Sequence, residues 1–472
     1  MSSSTRPRPD VGVRRARLAV AALFLTNGAV FANLVPRYPQ VKAELGLTNS
    51  SYGLAVAAFP AGAVLFGLAA APLVRRFTSA RVAAFGMVAT SVGVFVAAVA
   101  PLPAMFAAAL FCAGAADACT DVGQNAHGLR VQRRYGRSII NSFHAVWSIG
   151  AVLGGSMAAA AMALGMSLGV HLGISAVLFS TVALVALRFC LAGPDDDLAG
   201  AETAGADHAG HRPGRPRLAL VLTLAALVAL ATSGAVVEDA GFSWAALYLS
   251  DSLDAPAAIA ATGFIALVGA QFVGRLVGDR LVDRFGQRAV ARVGGLIAAL
   301  GMGVALAVPT VAGTIAGFAA AGFGVATLVP AAMHSADELP GLRAGTGLTV
   351  VSWLMRLGFL LTPPIVGFIA DATELRVGLL VVPAAGGVVV ILAGVLPRRV
   401  RRSVALPNEP RGASVAERLS CNRRRVRCNA SARGVPGVGR CYGRTRPAVR
   451  HRTTCPRAGE AGRIPALSRS RR

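Results

Sequence analysis

The chain has 472 residues, of which 54% are hydrophobic and only 15% charged, and its apolar residues fall in runs that no soluble globular core could absorb. The formal charge of +25 invites a nucleic-acid reading, but its distribution excludes one. From Arg398 onward 21 Arg face three Glu, which is +18 (21 − 3), and the remaining +7 (25 − 18) is ordinary for a membrane body with basic loops.

Runs of about 18 to 25 apolar residues recur from Leu18 to Leu396, each able to cross a hydrocarbon core of about 30 Å as a helix. In lipid the backbone has to satisfy its own hydrogen bonds, so such spans are helical. The basic opening "MSSSTRPRPDVGVRRARLAV" resembles a signal peptide, yet no small-residue cleavage site follows, so it reads as an uncleaved first helix behind a short segment, 1–17. Six spans are expected near 18–36, 51–74, 82–100, 103–129, 139–164 and 168–190, making a first bundle over 18–190. A polar Gly/Pro/Ala linker, 191–217, leads to a second bundle over 218–396. Its spans are expected near 218–248, 256–281, 290–308, 311–333, 345–369 and 375–396.

The segment 397–472 holds four of the seven cysteines and no hydrophobic periodicity. Lysine occurs once, at Lys42, against 46 Arg, as in a GC-rich coding sequence. The tail therefore has two readings, a shifted reading frame or a disordered anion-binding tail. Cys112, Cys119 and Cys190 lie in spans, so no disulfide framework is implied.

Arginines cluster in the even-numbered connections: Arg75, Arg76 and Arg81, then Arg130, Arg133, Arg134 and Arg137, then Arg284, Arg288 and Arg292. The odd-numbered connections are short and nearly free of Arg, which places both termini and the linker in the cytoplasm. A shift of 208 residues lays Arg75–Gly86 on Asp283–Gly294, Gly114 on Gly322 and Gly150 on Gly358. One offset matching three places indicates an internal repeat of six spans, a plan in which the solute path lies between the halves.

These residues resemble the major facilitator superfamily. "GRLVGDRLVDRFGQR" looks like its loop signature, here Gly274, Gly278, Asp279, Asp283, Arg284, Gly286 and Arg288, between spans 8 and 9. Gly278 stands one position further from Asp283 than in the commonest form, and the first-half copy has Arg75 where the Asp is usual. "SFHAVWSIGAVLGG" and "VEDAGFSWAALYLSD" narrow the resemblance to the fucose-permease-like branch and its bacterial relatives. That branch carries an acid four residues before an Asn in span 4, matched by Asp121 and Asn125. It also carries a span-1 carboxylate, where this chain offers only Asn27 and Asn33. The resemblance implies an all-α membrane protein of 12 spans in two pseudo-symmetric six-helix bundles, working by alternating access on a small solute and protons. It implies a monomer in a bacterial cytoplasmic membrane.

The polar residues inside the spans are the candidate machinery. Asp117, Asp121 and Asn125 are four apart and form one stripe, Asp121 about 6 Å beyond Asp117 at 1.5 Å per residue. Each ionised Asp at this depth costs about 2.5–3.5 kcal/mol, so the stripe faces protein or water. The repeat places Val325 and Val329 where the acids stand, so the architecture does not require them. The pair is expected to exchange protons near neutral pH as a coupled unit, which would drive transport. The other reading is a structural network with Asn141, His144 or a span backbone.

Span 7 carries Glu238 and Asp239, and either could pair with Arg356 of span 11. Gln124, Asn141 and His144 are further cavity candidates, and His127 and His334 are expected at the interface. Trp147, Trp244 and Trp353 could stack on a sugar ring or serve the core. No phosphate-cradling loop, metal spacing or nucleophilic triad is present, so neither an enzyme nor a cofactor is expected. The substrate readings are a sugar-like solute or, by export, amphipathic compounds. A sensor or scaffold that keeps the transporter fold is the reading of another class.

Overall fold

The computed structural model describes residues 10–137, 139–193, 217–342 and 345–397, which lie in one compact unit, Met1–Arg401. The tail and most of the linker fall outside the described residues. Twelve helices are long and apolar enough to cross a membrane. The first six are α1 (Val11–Glu44), α2 (Asn49–Phe77), α3 (Ser79–Ala98), α4 (Pro103–Tyr135), α5 (Ile140–Ala163) and α6 (Leu168–Leu187). The second six are α7 (Leu218–Ser252), α8 (Ala257–Phe285), α9 (Gln287–Ala307), α10 (Val311–Asp337), α11 (Thr346–Ala372) and α12 (Leu375–Val395).

Several helices run beyond the apolar stretches that announce them. α4 continues through Arg130, Arg133 and Arg134 to a left-handed cap at Gly136, because a helix leaving the membrane needs no hydrophobic side chains to keep its hydrogen bonds. α1 runs on through a 3₁₀ turn at Val35–Arg37, where Pro36 removes a donor, into a short helix begun by Pro39. α10 is two helices, Val311–Val325 and Leu328–Asp337. Pro330 explains the break: it cannot donate to Ala326, and its ring crowds that carbonyl.

The loop signature is mostly helix. Gly274 to Arg284 belong to α8, and the turn is Gly286 alone, with φ 86 and ψ 154. Its repeat counterpart, Thr78 (286 − 208), has φ 79 and ψ 148. A β-branched residue is unfavourable there, so the repeat has kept the turn at Thr78 without the glycine. Packing repeats at the same offset. A Cβ at Gly114 would strike the carbonyl of Phe59, and one at Gly322 would strike that of Leu267, which is 59 + 208.

The chain crosses an even number of times, so the ends of α1 and α12 near Asp10 and Pro397 share one face, called here the terminal face; the other is the distal face. The two sets of six helices meet mainly through α2 against α11 and α5 against α8. On the distal side this contact is tight. A Cβ at Gly53 would strike Pro363, and one at Gly367 would strike Asn49. Both oxygens of Asp371 accept from the first amides of α2, Asn49 at 2.9 Å and Ser50 at 2.8 Å. Lys42 pairs with Asp251 at 3.2 Å, and the Tyr52 hydroxyl donates to the Ser243 carbonyl at 2.6 Å. Nearer the terminal face, Arg275 Nη1 reaches Ser148 Oγ across the α5–α8 seam at 3.4 Å.

Candidate functional site: a polar cluster on α1, α4 and α5

Close helix contact assembles the site. Gly28 and Gly150 let α1 and α5 approach until a Cβ on either would strike the other helix's backbone, at Trp147 and Leu25. That approach sets the Trp147 indole over Asn27. Trp147 Nε1 donates to Asn27 Oδ1 at 2.8 Å, and since an indole only donates, the amide is turned with its nitrogen outward. Asn27 Nδ2 then donates to Asp117 Oδ1 at 2.6 Å.

The stripe on α4 completes the cluster. Gln124 Nε2 lies 3.5 Å from Asn27 Oδ1 and 3.4 Å from Asp121 Oδ1. Asn125 Nδ2 donates to Asp121 Oδ1 at 2.9 Å and to the Asp121 carbonyl. Asn27 and Gln124 are buried, Asp117 is half-buried, and Asp121 is exposed. A chain of amides therefore joins an inner carboxylate to an outer one. The amides point their nitrogens at both acids, so each acid keeps these bonds when charged and, through its carbonyl oxygen, when protonated.

Other candidates fall elsewhere. Asn141 and His144 are exposed near the start of α5, with His144 edge-on to Phe24 at 5.2 Å. Asn33 is fully buried and committed to α6, accepting from Ser175 at 3.2 Å and meeting His171 at 2.9 Å. His127 is also fully buried, against Ser79 Oγ at 3.0 Å and the Leu191 amide at 3.1 Å, rather than at an interface. His334 is exposed, 3.6 Å from Glu338.

In the second half, Glu238 accepts from Gln271 of α8 at 2.9 Å, and buried Asp239 accepts from Ser243 at 3.4 Å. Neither pairs with Arg356, contrary to the sequence expectation. The reason is angular: Gly358 packs on α7 at Thr232, and Arg356 lies about 200° away around the helix. It shares a stripe with Pro363 and Gly367, which face α2. Trp244 is fully buried and edge-on to Tyr52 at 5.0 Å in the distal closure. Trp353 is exposed. In the loop signature, Gly274 and Gly278 pack against Ala326 and Thr327 at the α10 break, while Asp279, Asp283 and Arg284 are exposed. Arg288 Nε donates to the Leu396 carbonyl at 3.0 Å.

Gln271, Arg275 and His171 escaped the sequence reading. Arg275 lay inside the expected span near 256–281, but it was passed over within the signature and not read as an intramembrane cation. Among the described residues no group of three or more His, Cys, Asp or Glu could hold a metal ion.

Comparison with known proteins sets this geometry in a family. The profile of the Major Facilitator Superfamily matches residues 20–281 and 239–435. An uncharacterised transporter of Sinorhizobium fredii, y4wD, is 29% identical over 380 residues, covering 80% of this chain and 97% of that protein. Membrane protein MosC of Rhizobium meliloti is 30% identical over 380 residues, covering 79% and 88%. Among solved structures, the superfamily transporter FucP in an outward conformation aligns with a TM-score of 0.54 at 17% identity, covering 81% and 99%. The chain is a multi-pass membrane transporter and belongs to the major facilitator superfamily.

Proposed function

We propose that this transporter moves a small polar solute by alternating access and couples it to protons through Asp121 and Asp117. The observation that carries the reading is the bonded series Asp117–Asn27–Gln124–Asp121, which runs from a half-buried acid to an exposed one without an ion pair. A purely structural network would bury both acids and satisfy them. Here the outer one is open to exchange, and the inner one is held by amides that tolerate protonation.

The terminal face is taken as cytoplasmic from the loop arginines. The distal closure by Asp371, Lys42 and Tyr52 then makes this the inward-facing state. In the opposite state those contacts break and the terminal ends of the halves come together. Asn125, Asn141, His144 and Trp147 stand where a hydroxylated, sugar-like solute could meet them.

The test is reconstitution of the full chain in liposomes with a trapped pH indicator, screened with sugars, polyols, amino acids and organic acids. The proposal expects proton movement that accompanies at least one transported solute. A solute moved at a rate indifferent to the proton gradient would contradict the coupling.

A further inference from the structure

The two seams between the halves are related by the internal repeat, and their differences point to the solute. A shift of 208 carries Gly67 of α2 onto Arg275 of α8 (67 + 208) and Ser148 of α5 onto Arg356 of α11 (148 + 208). Each seam thus sets one guanidinium against one small residue. Arg275 meets Ser148 Oγ at 3.4 Å. Arg356 Nη1 lies 3.9 Å from the place a Cβ would occupy on Gly67. Since the position of Arg356 is a serine in the other half, the seam itself does not call for a cation there.

Arg356 is also level with the acids. α2 and α4 run parallel, and Gly62 packs against Phe111 and Ala115. Gly67 is five residues further, about 7.5 Å at the helical rise, which brings it level with the turn of α4 that holds Asp117. Among the described residues Arg356 has no hydrogen bond and no ion pair, although it is half-buried within the span. The intramembrane carboxylates have other partners: Asp117 has Asn27, Asp121 has Asn125 and Gln124, Glu238 has Gln271, and Asp239 has Ser243. A guanidinium at this depth calls for a counter-charge, and the protein does not provide it.

We infer that the solute provides it: Arg356 receives a carboxylate carried by the transported molecule, whose hydroxyl or ammonium groups face the Asp121–Asn125 stripe. The inference rests on the proposed function only for the statement that a solute occupies the space between the halves. A carboxylate fits because its two oxygens match the planar fork of a guanidinium. A neutral sugar would leave Arg356 unpaired, and a cationic amphipath would be repelled by it. The substrate class is therefore a small hydroxylated or amino organic acid.

The test uses the purified full chain and matched probes: aldonates against the corresponding aldoses, amino acids against their amides, and lactate against propanediol. In at least one set the acid should bind about 10- to 100-fold tighter than its neutral partner, the range a charge-assisted hydrogen bond supports. Arg356→Gln should abolish that preference while the unliganded melting temperature does not fall, and Arg356→Lys should keep part of it. The inference is overturned if no acid in the panel is preferred, or if the preference survives in Arg356→Gln. It is equally overturned if Asp121→Asn restores wild-type binding to Arg356→Gln, since Arg356 would then serve only as a partner for Asp121. A neutral solute moved with protons would sink this inference and leave the proposed function standing. An acid bound through Arg356 but moved without protons would do the reverse.

Discussion

Shifted by 208 residues, the polar cluster of the first half lands on apolar side chains of the second. Asn27 falls on Ala235, Asp117 on Val325, Asp121 on Val329, Gln124 on Ala332, Asn125 on Met333 and Trp147 on Met355. The backbone frame is shared, down to the turn at Thr78 and Gly286 and the contacts of Gly114 and Gly322. α4 runs unbroken from Pro103 to Tyr135, while α10 breaks between Val325 and Leu328, ahead of Pro330, which stands where α4 has Val122. The same helical frame is stable with either set, so the cluster is not a requirement of the fold. The second half contributes cations at the seams instead, Arg275 and Arg356.

This contrast can be broken from either side. The largest effect is expected from Val325→Asp, which puts the acid of α4 into α10 where Ala235 replaces its amide partner. Val325 is 3% exposed, and an unsatisfied acid there should cost about 2.5–3.5 kcal/mol, read as lost yield and a lowered melting temperature in detergent. A normal melting temperature would show that the second half holds a polar partner after all.

Asn27→Ala makes the first half like the second at one position. It strips Asp117 and Trp147 Nε1 of their shared partner; both side chains are half-buried, so water replaces part of the loss and the cost is about 1–3 kcal/mol in all. The same melting assay reads it, and Asn27→Ala combined with Asp117→Val should recover part of the loss. No recovery would mean that the amide acts on something other than this acid.

Asp371→Ala removes the carboxylate that caps α2 from across the seam, worth about 1 kcal/mol for a lost cap. It should speed amide hydrogen exchange at Asn49 and Ser50 and loosen the distal closure, and unchanged exchange would remove Asp371 from the latch. Ser148→Ala should be the mildest, less than about 0.5 kcal/mol, because the 3.4 Å contact with Arg275 is long.

The sequence showed a good deal of this and missed the rest for physical reasons. Span number and the repeat were legible because hydrophobic length and glycine spacing answer to the bilayer and to helix contact. The α4 stripe was legible because residues four apart share a face. Which partner each polar group finds was not, since direction around a helix depends on neighbours distant in sequence. Asn27 and Asn33 look alike on paper. One holds Asp117, and the other is spent on His171 and Ser175. Arg356 was expected to meet Glu238 or Asp239 because all three belong to one half, but its face of α11 turns to α2. Trp244 could have served either the cavity or the core, and it is buried in the distal closure.

The central claim is that the coupled proton passes through the Asp121–Asp117 pair, with Asp121 as its exposed end, and accumulation of solute against a gradient in proteoliposomes tests it most directly. With an imposed proton gradient, Asp121→Asn should abolish accumulation while counterflow exchange, which needs no net proton movement, persists in part. If the variant accumulates solute as the wild type does, the proton travels another way and the account fails.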